Sequence, residues 1–325
     1  MRNFVDLHTH SRASDGQLSP SELVALAEAK RLAAVALTDH DTTAGLAQAR
    51  GAAEGLGVRL VSGVEISAAW PVGALHILGL GFDLQSPQLN QTLASLRQAR
   101  DLRNPRMLDR LRELGVPVEM AELEEMAGMH PGGTGFPAGA AQPGKAVPPG
   151  GTGFQPVPAG TGYKPVPPVQ CKPPVIGRLH MALAMVRRGY VCDVKEAFER
   201  YLAHGRPAYV DKERLTPAQA IAAIHAAGGV ALVAHPPQLL YQNSAQLERM
   251  VHSLRRDGLD GIEVYHPQNT PAQTRLHLDL ARRLKLLISG GSDFHGSFKD
   301  RIRLGQARVP LAAVIPLLTR IGVVT

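Results

Sequence analysis

The chain has 325 residues, 44% hydrophobic but only 4% aromatic, so it can bury a large core built mainly of Ala, Leu and Val. Two cysteines are too few for a disulfide framework, and no apolar run reaches the ~20 residues of a membrane helix. No signal-peptide pattern opens the chain, so we expect a cytoplasmic protein with no membrane partner and no evident obligate protein partner. The formal net charge of +7 slightly favours an anionic substrate.

Seven short apolar runs are predicted to form β-strands. Helical stretches separate several of them, and the first begins with Ser19 as N-cap, Pro20 at the first helical position and Glu22 in the first turn. Such alternation favours parallel strands with crossover helices, and seven strands suit a barrel better than an open sheet. Periodicity alone does not separate these two. The predicted strands span residues 4–7, 33–37, 59–64, 75–80, 229–233, 261–265 and 286–289.

Residues 87–215 contain no good strand and are predicted to form a mainly helical subdomain, inserted into a barrel of residues 1–86 and 216–325. Within it, residues 131–174 hold 10 Gly and 12 Pro but no Asp or Glu, and a Thr-Gly-aromatic motif recurs at multiples of nine residues. Such a segment cannot bury enough apolar surface to offset its chain entropy, so we predict a disordered insertion. A polyproline-type docking segment is the alternative.

Metal-capable side chains cluster at the ends of the predicted strands. On an extended backbone, the i, i+2 spacing of His8 and His10 points both imidazoles the same way. The carboxyl ends of strands in barrels and α/β sheets share one rim, so residues distant in sequence can converge there. The candidates are His8, His10, Asp15, Asp39, His40, Glu65, His76, His235, Asp293 and His295.

The mixture of imidazole and carboxylate suits zinc, manganese or iron, and the absence of thiolates argues against a structural zinc site. Nine ligands, the candidates other than Asp39, are too many for one ion and fit two or three divalent metal ions. Glu65 is a candidate to bridge ions ~3.5–4 Å apart, the spacing of two-metal phosphoester sites. Asp39, or another carboxylate, is expected to orient the ligand histidines.

With these motifs, the chain resembles the PHP (polymerase and histidinol phosphatase) family of metal-dependent phosphoesterases, most closely the stand-alone bacterial branch acting on nucleotide phosphates and short RNA. Further matching segments are Gly177-Arg178-Leu179-His180 and Gly261-Ile262-Glu263-Val264-Tyr265. The resemblance implies a distorted seven-stranded β/α barrel with an inserted helical subdomain. One departure is His266-Pro267-Gln268-Asn269, where relatives often carry a histidine a few residues later; this puts substrate contacts there in doubt.

The resemblance also implies three metal positions and a substrate-binding segment. Arg178 and His180 match a segment that reaches over the site from the inserted subdomain in relatives. We expect attack by metal-activated hydroxide, with Glu65, Arg178 and His180 as catalytic residues and His180 protonating the leaving alkoxide. The implied ligand sets are His8, His10, Glu65 and Asp293; then Glu65, His76 and His235; then Asp15, His40 and His295.

Four arginines recur every three residues, at Arg97, Arg100, Arg103 and Arg106. On a helix they would form a slanting stripe, and Pro105 is predicted to break that helix. We interpret the stripe as a solvated face. The alternative is a phosphate-binding wall for a nucleotide or an RNA 5′ end, with Arg103 as a substrate contact.

The leading hypothesis is a phosphoesterase that hydrolyses 3′,5′-bisphosphate nucleotides or 5′-phosphorylated oligoribonucleotides. Histidinol-phosphate phosphatase shares the metal site, but the basic charge argues mildly against a cationic amine substrate. Amidohydrolase chemistry usually employs a carboxylated Lys where this chain has Glu65. A non-catalytic metal- or nucleotide-binding module of the same family is the alternative outside enzymes.

Overall fold

The computed structural model describes residues 2–128, 174–296 and 302–323. The predicted disordered insertion at 131–174 falls outside these ranges except for Pro174, so that prediction stays untested. Within the described ranges, no helix is both long and apolar enough to cross a membrane.

The described residues form eight strands in one sheet, ordered β7-β6-β5-β4-β3-β2-β1-β8. Seven of these match the predicted strands, and the α/β barrel class is confirmed. The eighth is a two-residue strand that pairs antiparallel to β1 and was not predicted. The strands are β1 (Phe4–Asp6), β2 (Ala34–Leu37), β3 (Arg59–Ala68), β4 (Leu75–Leu80), β5 (Val230–Val233), β6 (Gly261–Tyr265), β7 (Leu287–Gly290) and β8 (Val309–Pro310).

The expectation of parallel strands is wrong for β4, which runs antiparallel to both β3 and β5. The physical reason is its connection: only residues 69–74 separate β3 from β4, too few for the crossover that a parallel pair needs. The other pairs, from β1 through β3 and from β5 through β7, are parallel.

The barrel closes where β7 and the residues after it meet the residues that follow β1. The Leu7 N–H donates to Gly290 O (3.0 Å), and the Asp293 N–H donates to His8 O (2.9 Å). Gly291 is required at this junction because a Cβ there would lie 2.3 Å from the Cβ of His8. Closure brings the segments after the first and last parallel strands, and the side chains they carry, into contact.

Ten α-helices lie within the described ranges. The predicted N-cap of the first is confirmed, since Ser19 Oγ accepts from the Glu22 N–H and Glu22 returns a bond to the Ser19 N–H. They are α1 (Pro20–Ala29), α2 (Leu46–Ala53), α3 (Pro87–Glu113), α4 (Met120–Met126), α5 (Arg178–Arg187), α6 (Val194–Ala197), α7 (Pro217–Ala226), α8 (Ser244–Arg256), α9 (Pro271–Leu284) and α10 (Leu311–Arg320). A π-turn (Phe198–Leu202) follows α6, and a 3₁₀ turn (Pro236–Leu239) follows β5.

Three clusters of buried apolar side chains hold the fold together. One lies between the sheet and its surrounding helices, and a second includes Val5, Leu78 and Leu232 with residues of α10. A third consists of side chains from the inserted region, including Met107, Leu123 and Met185. The division into two domains stays a prediction, although the separate third cluster agrees with it.

Helix α3 connects the inserted region to the barrel. Its first half packs Leu89, Leu93 and Leu96 into the barrel cluster, and its second half packs Met107, Leu108 and Leu111 into the third. The prediction that Pro105 breaks this helix is wrong: α3 continues for eight further residues. Pro105 is exposed, so the helical hydrogen bond it cannot donate is lost on the side that faces solvent.

Candidate metal centre

The predicted ligands converge at one end of the barrel. His8 and His10 follow β1, separated by Thr9, whose hydroxyl donates to Ala36 O (2.5 Å) and whose N–H donates to Thr38 Oγ1 (3.1 Å). Those bonds hold Thr9 against β2. The two imidazoles therefore share the opposite face, as their spacing predicts.

His76 reaches the same rim because β4 is antiparallel. It is the second residue of that strand, and it pairs with Ser67 near the end of β3. The amino end of β4 thus lies beside the carboxyl ends of its neighbours. A histidine that looks misplaced in an all-parallel barrel is correctly placed in this one.

Glu65 is the centre of the cluster and is completely buried. Its carboxylate contacts five imidazoles. The distances to Oε1 are 2.7 Å from His76 Nδ1 and 2.9 Å from His235 Nε2; those to Oε2 are 3.0 Å from His40 Nδ1, 3.2 Å from His10 Nε2 and 3.4 Å from His8 Nε2. A single carboxylate that faces five imidazoles has the arrangement expected of a bridging ligand.

The set His8, His10, Glu65 and Asp293 has the spacing of a tetrahedral site. Asp293 Oδ1 lies 3.2 Å from His10 Nε2 and 3.5 Å from His8 Nε2. Ligands ~2.0–2.2 Å from a tetrahedral ion are separated by about 3.4 Å, close to these values. The four ligand atoms lie within 4.8 Å of one another and could hold one ion.

The other two predicted sets are also brought together, with His40 between them. Asp15 Oδ1 lies 3.3 Å from His295 Nε2, and Asp15 Oδ2 lies 3.8 Å from His40 Nε2. His40 also groups with Glu65 and His76, and His10 joins the set around Asp15. His235 is placed through its contact with Glu65 and lies edge-on to His76, with ring centroids 5.1 Å apart.

The residues fit divalent ions by a test independent of distance. Within the described chain, several buried ring nitrogens and one carboxylate oxygen of this cluster make no hydrogen bond, which is costly unless another partner binds them. These atoms are Nε2 of His8, both ring nitrogens of His10, Nδ1 of His40, Nδ1 of His235 and Oε2 of Glu65. Lone pairs directed at common points suit imidazole- and carboxylate-binding metals.

The cluster is electrostatically polarised. Burial opposes ionisation of Glu65, but the surrounding histidines, led by His40 and His76, hold the pKa of its carboxyl well below the usual range. Burial likewise opposes protonation of His10, but the carboxylates of Asp293 and Glu65 raise its pKa to about 9. A cation is favoured at this point whether it is a proton or a metal ion.

Two ligand candidates occupy the left-handed region of backbone space. His235 has φ of +27° and Asp293 has φ of +54°. Non-glycine residues rarely adopt such angles, and they cluster at functional sites when surrounding bonds hold them. Here the His235 N–H donates to Glu263 Oε2 (2.6 Å), and the Asp293 N–H donates to His8 O.

Glu263 orients the ligand candidates, and sequence reasoning gave it no role. It is completely buried on β6, and its Oε1 lies 3.1 Å from His8 Nδ1. That contact leaves Nε2 of His8 facing Glu65 and Asp293. Its position in the sequence could have revealed it, because a carboxylate inside an otherwise apolar strand requires a partner.

The expectation that Asp39 or another carboxylate orients the ligand histidines is met by Glu263 and not by Asp39. The Asp39 carboxylate accepts from the Ser11 N–H (2.8 Å), the Ser11 hydroxyl (2.7 Å) and the Ser14 hydroxyl (2.6 Å), and from no histidine among the described residues. It thereby fixes the loop between His10 and Asp15. Burial raises the pKa of Asp39 to about 6, against the lowering effect of His10 and these donors.

His180 approaches the rim from the inserted region. It is buried, and Nδ1 accepts from the Gly177 N–H (3.1 Å), so its proton resides on Nε2. Burial lowers its pKa, and Asp15 is the first of the charges that oppose this. The neutral ring is suited to donate a hydrogen bond to substrate rather than to act as a strong acid.

Arg178 is held inside the inserted region. Its Nη1 donates to Leu202 O (3.1 Å), and its guanidinium lies 5.5 Å from the ring centres of both Phe198 and Tyr209. Burial lowers its pKa to about 10. Its predicted contact with substrate stays a prediction.

The interpretation of the arginine stripe as a solvated face is wrong for two of its members. Arg100 and Arg103 are 8% and 4% exposed, whereas Arg106 is exposed. The buried pair lies where α3 meets the barrel rim. Arg100 donates through Nε (2.9 Å) and Nη2 (2.6 Å) to Asp41 Oδ2, and Lys212 Nζ donates to the same oxygen (3.2 Å).

Asp41, which follows His40, therefore joins the metal rim to the inserted region. It is completely buried, and its backbone φ is +53°. Burial opposes its ionisation, but Lys212 and Arg100 hold the pKa of its carboxyl well below the usual range. One carboxylate thus serves two buried cations.

Arg103 has no carboxylate within ion-pair distance among the described residues. Its Nε (3.3 Å) and Nη2 (2.8 Å) donate only to Asn104 Oδ1, an uncharged acceptor. Burial, with the charges of Arg100 and Arg178, lowers its pKa to about 9. We call Arg100, Arg103, Arg178, Lys212 and Arg214 the basic cluster; within the described residues the only carboxylates paired with it are Asp41 and Asp211.

Comparisons with known proteins agree with this geometry. The PHP domain profile matches residues 6–275. The chain is 34% identical over 295 residues to a 3′,5′-nucleoside bisphosphate phosphatase from Chromobacterium violaceum, covering 90% of this chain and 87% of that protein. It is 34% identical over 318 residues to a 5′-3′ exoribonuclease from Haemophilus influenzae, covering 98% of each. A solved structure from Bifidobacterium adolescentis, assigned as a metal-dependent phosphoesterase, matches with a TM-score of 0.76 and 29% identity over 97% of this chain and 96% of that one.

Proposed function

The chain belongs to the PHP domain family, and we propose that this member hydrolyses phosphate esters of nucleotides that carry a second phosphate. The prediction of a metal-dependent nucleotide phosphoesterase is confirmed by relatives named as a bisphosphate phosphatase and an exoribonuclease. A nucleoside 3′,5′-bisphosphate and a 5′-phosphorylated oligoribonucleotide both have this chemistry. One observation carries the proposal: the segment of the carboxylate–imidazole cluster is linked through Asp41 and Arg100 to helix α3, which also buries Arg103, an arginine that lacks a carboxylate partner among the described residues.

The nine residues predicted as ligands are proposed to hold two or three divalent ions, with Mn²⁺, Zn²⁺ or Fe²⁺ as the candidates that suit imidazole and carboxylate donors. Such ions, when bound, supply Lewis acidity that activates water near neutral pH and neutralises charge on the phosphoryl group. Glu65 would be the ligand shared between these ions, and the contact of Glu263 with His8 Nδ1 would leave His8 Nε2 available as a ligand.

The basic cluster is proposed to bind the phosphate that is not cleaved. A buried guanidinium paired only with an amide oxygen loses hydration without gaining a counter-charge, so an anionic ligand is favoured there. Arg103 can offer its donors to phosphate oxygens in a forked geometry. His180 donates from Nε2 between this cluster and Asp15, which suits contact with the leaving-group oxygen.

The alternatives differ in what the basic cluster would meet. Histidinol phosphate carries a cationic amine, which the basic cluster would repel, since its five cations face only two paired carboxylates among the described residues. A non-catalytic module would have no need of so complete a set of ligand residues around Glu65. Both are decided by the same experiment.

Phosphate or mononucleotide release tests the proposal directly. The substrates are adenosine 3′,5′-bisphosphate, AMP, a short 5′-phosphorylated RNA and histidinol phosphate, each with Mn²⁺ or with chelator. We expect Mn²⁺-dependent turnover of the bisphosphate or the RNA, faster than that of AMP, and none with chelator.

Turnover of histidinol phosphate alone would contradict the proposed substrate class. No turnover by a protein shown to bind Mn²⁺ would contradict the enzyme itself and favour the binding module.

A further inference from the structure

A seventh imidazole of the barrel rim, His266, has no place among the predicted ligands. It directly follows β6, and its side chain is 1% exposed. Its ring lies edge-on to that of His235, with centroids 6.2 Å apart, and its Nε2 lies 4.0 Å from Asp293 Oδ2. His266 therefore forms part of the wall behind two ligand candidates.

The proton on this ring can be located from its backbone contact. The Gln268 N–H donates to His266 Nδ1 (3.2 Å), and a backbone N–H has no acceptor capacity. Nδ1 must therefore carry a lone pair, so the ring is neutral and its proton is on Nε2. In this tautomer Nε2 is a donor and cannot ligate a metal.

That donor is buried and makes no hydrogen bond within the described ranges of the chain. A neighbouring carboxylate, Glu263, is already engaged on both oxygens, by His8 Nδ1 and by the His235 N–H. The other carboxylate oxygen near this donor is Asp293 Oδ2, at 4.0 Å. Buried N–H groups without acceptors are rare, so the unsatisfied Nε2–H of His266 requires an explanation.

The two oxygens of Asp293 face different partners. Oδ1 lies 3.2 Å from His10 Nε2 and 3.5 Å from His8 Nε2, and Oδ2 lies on the side of His266. The 4.0 Å separation is about 1 Å longer than a hydrogen bond, so the bond would form only when the carboxylate turns toward His266. A donor to Oδ2 would fix that turn and keep Oδ1 in the ligand set.

We propose that His266 is a positioning residue: its Nε2–H donates to Asp293 Oδ2 and holds the carboxylate in its ligating orientation. The proposal rests on the assignment of Asp293 as a ligand under the proposed function. It concerns metal affinity rather than turnover, so it can fail while the phosphoesterase activity stands.

The test measures Mn²⁺ binding to the metal-free chain by the EPR signal of free Mn²⁺. His266→Phe keeps an aromatic ring but removes the donor, and we expect Mn²⁺ affinity to fall ~10- to 100-fold. His266→Gln retains an amide N–H and should recover most of that loss. His277→Phe is the matched control, because His277 is equally buried but bonds Tyr241 and Asn269 rather than a ligand candidate.

A double-mutant cycle with Asp293→Asn isolates the pair. If His266 acts through Asp293, His266→Phe should add little further loss of Mn²⁺ affinity in the Asp293→Asn background. Equal losses in both backgrounds would overturn the proposal.

A further readout separates a contact with substrate from a contact with Asp293. Unchanged Mn²⁺ affinity with weakened binding of inorganic phosphate to the Mn²⁺-loaded protein would also overturn the proposal, since the donor would then serve substrate. If His266→Phe fails to fold, the cycle is run with His266→Gln and His266→Met, and equal Mn²⁺ affinity of those two variants counts against the proposal.

Discussion

The barrel rim and the inserted region carry side chains of opposite charge preference, and they are linked by ion pairs at Asp41. On the rim, Glu65, Asp15 and Asp293 lie among histidines and favour cations. On the inserted side, the basic cluster holds more cations than its carboxylate partners can neutralise and favours anions. Asp41 connects the two regions, because it follows His40 in sequence and forms ion pairs with Arg100 and Lys212. Under the proposed function this contrast becomes a division of labour, in which the rim performs the chemistry and the basic cluster selects the substrate.

Removal of the central carboxylate should have the largest effect. Glu65→Ala takes away the group that contacts five imidazoles, and the loss of several kcal/mol of metal-derived stabilisation corresponds to about a thousandfold or more in kcat/KM. Bound Mn²⁺ should fall in parallel, measured by elemental analysis. Glu54→Ala, at an exposed glutamate following α2, is the control. Wild-type turnover by Glu65→Ala would refute the bridging role.

Loss of the negative charge of Asp41 should destabilise the folded chain. Asp41→Asn keeps the shape but leaves Arg100 and Lys212 buried without a counter-charge, so the free energy of unfolding should fall by about 3 kcal/mol in denaturant titrations. The control is Asp109→Asn, which removes the exposed ion-pair partner of Arg112 within α3. It should change the free energy of unfolding by less than ~0.5 kcal/mol.

The sign of the pH dependence of stability gives a second check on the ion pairs of Asp41. Because the pKa of Asp41 is lowered in the folded chain, its contribution is present above the unfolded value of ~3.9 and is lost as pH falls below it. Asp41→Asn should therefore lose less stability than wild type on acidification. Equal acid sensitivity of the two proteins would argue against the ion pair.

A smaller effect is expected for Glu263, which contacts the ligand candidates but is not itself one. Glu263→Gln leaves one acceptor oxygen for two donors, His8 Nδ1–H and the His235 N–H, so ligand orientation should loosen. We expect Mn²⁺ affinity to fall ~10- to 100-fold while kcat at saturating Mn²⁺ changes less. An unchanged Mn²⁺ titration would show that His8 needs no such support.

The rim was largely predictable from sequence. A histidine or carboxylate directly after an apolar run is a local pattern, and the carboxyl end of a barrel strand lies on the rim. The antiparallel direction of β4 was harder to predict. It follows from the short connection between β3 and β4, whereas the pattern of apolar residues is the same for either strand direction. The positive φ of His235 depends on a contact with Glu263 that only the folded chain provides.

The inserted side was predicted poorly for a specific reason. Arginines spaced by three define a helical stripe, but spacing does not reveal whether the stripe meets water or another part of the chain. Arg100 is buried by a partner 59 residues away, and Lys212 reaches the same oxygen from 171 residues away. Pairings of that range leave no local signal.

The division of labour is tested most directly by the ratio of kcat/KM for adenosine 3′,5′-bisphosphate to that for AMP, measured with Mn²⁺ in wild type, Arg103→Met and Arg106→Met. A lost charge-assisted contact is worth ~1.5–3 kcal/mol, so Arg103→Met should reduce the ratio by about 10- to 100-fold through the bisphosphate alone. Arg106→Met, exposed one turn further along α3, should leave it unchanged. An unchanged ratio in Arg103→Met, or an equal loss for both substrates, would contradict selection by the basic cluster.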